Sequence, residues 1–301
     1  MSGKIPSTVF PLIDVHQLLT LNFIDVQNLT FTSISKSRRV VFVRKVIRTV
    51  GQVNGDDIAR EIRTIKNTSE PGHENVVQII DHGWLRGLTG LYFIDMDLLL
   101  FNLEAYIHSE TIRFPCRFFR SKPSQLQTLR QVVSGLAYIH EKEEIHGNLK
   151  PTNSTAQGVT QLISVLFSSA SWCWKLSDVG FIPGDTTVRS LTTKGPEPLG
   201  YYKSPESTTE LKFTKESDIW SLGCIASEMI TGQRSFPSVD DLLDYSVGHY
   251  RRDPHSQAIQ RSATTTAVFK LLHSSVQLAL SLDPQMRPPL RTFIELLNNA
   301  S

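Results

Sequence analysis

His146-Gly147-Asn148-Leu149-Lys150-Pro151-Thr152-Asn153, followed downstream by Asp178-Val179-Gly180, is the stretch on which the reading of this chain turns. An apolar stripe leads into it. Leu126, Leu129, Val132, Val133, Leu136 and Ile139 recur with a period near 3.6, which predicts a long amphipathic helix ending at the loop. Further upstream, residues 28–34 and 39–47 are rich in β-branched and aromatic side chains. They predict two strands joined by the polar turn Ser35-Lys36-Ser37-Arg38. Asp56-Asp57 opens a predicted helix with Ile58, Ile62 and Ile65 on one side. Residues 76–80 and 91–94 predict two more strands, parted by a turn around Gly83, Gly87 and Gly90. After Asp95-Met96-Asp97 the pattern becomes helical, with further helices predicted over 218–230 and 268–280. Strands first and helices after, with a hinge near residue 95, predict an α+β chain.

Composition narrows the function. With 301 residues, 40% of them hydrophobic, the chain has ample material for a core. Its 31 Lys and Arg against 29 Asp and Glu leave a net charge of +2, which favours neither nucleic acid nor an anionic membrane as partner. Arg38-Arg39 and Arg251-Arg252 read as solvated loop charges. Cys116, Cys173 and Cys224 are far apart and show no CxxC spacing. That pattern argues for a reducing compartment, and against a disulfide framework or a zinc site. His140 and His146 do not have ligand spacing. No apolar run approaches the roughly twenty residues of a membrane helix, and residues 1–10 lack the pattern of a secretory signal. The expected location is cytosol or nucleus, and the expected partner or substrate is a protein.

The loop and the segments after it resemble the eukaryotic protein kinases, whose pattern is H-R-D-L-K-P-x-N, then D-F-G, then A-P-E. The resemblance covers roughly residues 28–298. It implies a small antiparallel β lobe with one helix over 1–95 and a larger, mainly α lobe over 96–301. The large lobe would hold a catalytic-loop-like region at 146–153, an insertion at 154–164 and an activation segment at 178–206. Roles follow position by position. Glu61 would pair with a strand cation, and Lys150 would neutralise the transferring phosphate of ATP. Asn153 and Asp178 would hold Mg2+, since hard cations take oxygen ligands. Ser204-Pro205-Glu206 resembles A-P-E, with Arg287 placed to form a buried ion pair with Glu206. Asp218, opening Asp218-Ile219-Trp220-Ser221-Leu222-Gly223, would orient the catalytic-loop backbone. Leu149-Lys150-Pro151 resembles serine/threonine rather than tyrosine kinases.

Where the chain departs from the pattern, the departures fall on the chemistry. No glycine occurs between Gly3 and Gly51, so the loop that should cover phosphates lacks residues whose amides can approach closely. Ser33, Ser35 and Ser37 are partial substitutes. The run Val41-Phe42-Val43-Arg44-Lys45-Val46 resembles V-A-V-K-K-V with Arg44 at the lysine. Lys45 is the alternative, which would put Arg44 where a buried aliphatic belongs. A planar guanidinium does not reach where a compact ammonium does, and Phe42 in place of a small residue narrows the adenine pocket. Asn148 replaces the proton-accepting aspartate. Gly147 replaces the arginine that pairs with a phosphorylated activation segment, so phosphates on Thr192 or Thr193 would lose that partner. Asn153 and Asp178 stand 25 positions apart (178 − 153), about twice the family's spacing. Excising 154–164 would restore the spacing. Val179 for phenylalanine is the mildest change.

Together these departures favour a pseudokinase, a kinase-like domain acting by protein binding with weak or no occupancy by ATP and Mg2+. The alternative is a divergent serine/threonine kinase with slow phosphotransfer, supported by the retained Glu61, Lys150, Asn153 and Asp178. A third reading is a defective product in which the 154–164 insertion prevents folding.

Overall fold

The computed structural model describes residues 28–34, 41–48, 63–64, 66–85, 91–97, 99, 101–108, 122–151, 165–168, 171–177, 179, 202–249 and 267–300. The chain divides into two compact units, one of residues 1–53 with 78–98 and one of residues 54–77 with 99–301.

In the first unit β1 (Asn28–Ile34), β2 (Val41–Arg48), β3 (Ile79–Trp84) and β4 (Leu91–Asp97) form an antiparallel sheet of order β1-β2-β4-β3. β-Branched and aromatic residues suit this pleated surface. Two boundaries differ from the sequence expectation. The third strand begins at Ile79, not Val76, and Gly83 lies inside it instead of in a turn. The reason is a competing partner. Leu176 N–H donates to the Asn75 carbonyl and Val77 N–H donates to the Leu176 carbonyl, each at 2.8 Å. These bonds tie residues 75–77 to the second unit before the strand starts.

The second unit opens with β5 (Phe101–Asn102) and α1 (Leu103–His108). α2 (Lys122–Glu141) carries the apolar stripe, with Leu129, Val132, Val133, Leu136 and Ile139 all buried. β6 (Val165–Ser168) and β7 (Cys173–Leu176) form a hairpin paired with β5. α3 (Pro205–Thr209), α4 (Lys215–Thr231), α5 (Val239–Ser246), α6 (Ala267–Ala279) and α7 (Leu290–Asn298) complete the unit. Every residue of α4 from Ser217 to Met229 is buried. A helix covered on all sides is a central pillar rather than a surface element. Thr214 and Ser217 form a reciprocal capping box that fixes where the pillar begins.

Arg63, Thr64 and Lys66–Ser69 are helical. They are bound within the second unit: Thr64 Oγ1 and Asn67 Nδ2 donate to the two carboxylate oxygens of Glu144 at 2.9 and 2.6 Å. Close approach also explains a glycine in the middle of α2. A Cβ on Gly135 would lie 2.5 Å from the Asn75 carbonyl oxygen, so only glycine lets segment 75–77 pack against the helix.

Candidate functional site

The loop that follows α2 is held from beneath by one carboxylate. Asp218, 1% exposed at the start of the α4 pillar, accepts the backbone N–H of His146 at 2.8 Å and of Gly147 at 2.9 Å. His140 Nε2 lies 2.9 Å from the same carboxylate. Buried carboxylates require such partners, and hydrogen bonds to a charged acceptor are the stronger kind. Gly147 sits at φ 74°, a conformation in which a Cβ is strained. Glycine therefore places its amide on Asp218 without steric cost. Leu149 is buried below the loop, while Asn148 and Lys150 line one small cavity together with Lys203, Ser204 and Ser207. An amide and a lysine thus line the same cavity on a loop whose backbone Asp218 holds.

A second device anchors the segment beyond this cavity. Arg287, its side chain fully buried, donates to both oxygens of Glu206 at 2.5 and 2.9 Å, to the Ser281 carbonyl and to the Glu216 carbonyl. Its guanidinium also lies 5.1 Å from the centre of the Trp220 ring. Burial alone would push the Glu206 carboxyl up. The hydrogen bonds from Arg287, from the backbone and from Ser204 outweigh that and hold it below its ordinary value.

In the first unit Arg44 lies directly opposite Asp95 in the β2–β4 register. Arg44 Nε and Nη2 donate to the two Asp95 oxygens, each at 2.6 Å. The guanidinium rests 4.3 Å from the centre of the Phe93 ring, and Asp95 is only 4% exposed. Asp95, with Asp81 adding to its field, more than offsets partial burial and holds Arg44 protonated more firmly than usual. Lys45 pairs in register with Ile94, and its side chain lies outside the described residues.

Asn148 and Lys150 are therefore brought together in the second unit, whereas Arg44 is committed to a partner in the first. Glu61, Asn153, Asp178, the 154–164 insertion, Thr192 and Thr193 lie outside the described residues, as do Cys116 and the region from Gly180 to Tyr201. Cys173 and Cys224 are buried free thiols.

Two functional candidates escaped the sequence reading. Asp95 is one, and its signal was available as an acid in the apolar run Leu91-Tyr92-Phe93-Ile94 at the residue that faces Arg44 once the register is known. Glu228 is the other. Wholly buried, it accepts the Tyr202 hydroxyl at 2.5 Å and lies 2.6 Å from His108 Nε2. His108 and Arg234 line an open groove of about 800 Å³ that also includes Asn102, Glu104 and Pro237. No sequence pattern in the single chain marks it. No described helix is long and apolar enough to cross a membrane.

The protein kinase domain family model matches residues 29–296, and the chain belongs to that family. Its α+β architecture, with small antiparallel sheets and a mainly helical second unit, is that of the family. Among curated proteins it is similar to the mitogen-activated protein kinase HOG1 of Arthrobotrys oligospora and that of Exserohilum turcicum. Each is 28% identical over 193 residues, covering 62% of this chain and 46% and 49% of the two relatives. The chain spans about half the length of these relatives.

Proposed function

We propose that this chain is a pseudokinase, a protein kinase domain that does not transfer phosphate and acts by binding a protein partner in the cytosol or nucleus. The observation that carries the reading is Asn148 on a loop whose backbone is still held by Asp218. Asp218, His140, Gly147 and the Arg287–Glu206 pair hold the surrounding backbone as a working site would need it. The residue presented at the proton-accepting position is nevertheless an amide, which has no basic site near neutral pH. Loss of chemistry with retention of scaffold is what a binding role requires. Lys150, lining the same cavity as Asn148, favours a second reading, a slow serine/threonine kinase, because phosphoryl transfer relies mainly on positioning and charge.

The test is transfer of labelled γ-phosphate from Mg-ATP to a generic protein substrate, with an Asp178→Ala variant alongside. The expected result is no transfer above that variant. Transfer that disappears in Asp178→Ala overturns the proposal in favour of the slow kinase. An Asn148→Asp variant that gains turnover identifies the missing carboxylate as the decisive loss.

A further inference from the structure

The expected nucleotide does not fit the described cation. The resemblance asks the β2 cation to meet the phosphates of ATP, and the observed guanidinium already gives two of its N–H groups to a carboxylate. Adjacent residues in an antiparallel register share a face, so Arg44, Asp95, Phe93 and Asp97 all stand on one side of the sheet. On that side the bidentate fork takes two of the strongest guanidinium donors, and Phe93 covers the plane. Asp95 cannot give Arg44 up cheaply. At 4% exposure it would be left as a buried, unpaired carboxylate. A triphosphate approaching this face also meets Asp95 and Asp81, whose charges repel it.

The structure assigns Asp95 as a self-occluding residue, which holds the β2 cation in an internal ion pair and so denies it to nucleotide phosphates. This goes beyond the assignment of a non-catalytic domain, which concerns Asn148. It names a second, independent lesion in nucleotide capture and makes it reversible: neutralising Asp95 should release Arg44 and restore phosphate binding. The affinity gained would be for a polyphosphate–Mg2+ species, since the free guanidinium recognises phosphate oxygens.

The experiment measures binding of Mg-ATP and of adenosine to the whole chain by titration calorimetry and by melting temperature. Wild type is compared with Asp95→Asn and with the double variant Arg44→Lys/Asp95→Leu, which substitutes a compact ammonium beside an apolar neighbour. Both variants are first required to melt cooperatively. At least a ~10-fold gain in Mg-ATP affinity over wild type is expected in one or both, with a matching rise in melting temperature and no gain for adenosine. Three results overturn the inference: sub-millimolar Mg-ATP binding by wild type, variants that fold and gain nothing, or equal gains for adenosine and ATP. If neither variant melts cooperatively, the wild-type titration decides. Phosphotransfer stays absent in all these proteins, because each retains Asn148. Failure of this inference is thereby distinct from failure of the pseudokinase assignment.

Discussion

Arg287 and Arg44 each grip a carboxylate with two guanidinium nitrogens, one in each unit of the chain. The chemistry is the same, but the surroundings differ. Arg287 is fully buried and joins Glu206 across 81 residues of sequence while also capping the Ser281 and Glu216 carbonyls. Arg44 is 20% exposed and its fork reaches Asp95 on the neighbouring strand. The first fork ties distant elements into a unit, whereas the second joins two strands that backbone hydrogen bonds already pair. What the second fork changes is the availability of a cation. An ion pair's contribution is therefore read from what else its charges could be doing, not from its distances.

Removing Arg287 should separate the two forks most sharply. Arg287→Ala leaves Glu206 half-buried without its cation and strands two carbonyls. A loss of about 3–5 kcal/mol of unfolding free energy is expected by urea titration. A loss under about 1 kcal/mol would show that the fork is not the staple of the second unit.

A pH series sharpens the same point with a smaller effect. The Glu206 carboxyl is held below its ordinary value of 4.5 in the folded chain. A depressed carboxyl contributes stability that is present above the unfolded value and is lost as pH falls through the folded one. The stability difference between wild type and Glu206→Gln should accordingly be greatest near neutral pH and shrink below about pH 4.5. A difference independent of pH would remove the charge from the explanation.

The smallest effect is expected at the other fork. Arg44→Ala should lower the stability of the whole chain by about 1–3 kcal/mol. Asp95 loses its partner, but the rim of the pair already meets water. A loss as large as that for Arg287→Ala would make the Arg44 fork a structural staple and dissolve the contrast.

Much of this was legible in the residues. The stripe on α2 announced its buried face, because helical spacing and burial are the same fact seen twice. The Glu206–Arg287 pair and the role of Asp218 followed from the resemblance of their motifs to those of the protein kinases. The sequence pattern places the start of the third strand at Val76, whereas it begins at Ile79. Both segments are β-branched, and only the docking of residues 75–77 against Leu176 chooses between them. The pairing of Asp95 with Arg44 is hidden from the sequence for a related reason. An acid in an apolar strand is ambiguous until the opposing residue is known, and register is a property of two strands.

The sequence by itself determined the family, the order of the elements and the identity of the groups on the catalytic loop, including the amide at 148, because these are written in contiguous residues. Only the tertiary structure decided where Arg44 spends its charge. Side chains more than fifty residues apart become neighbours through strand pairing, and a buried carboxylate takes whichever cation the fold places beside it.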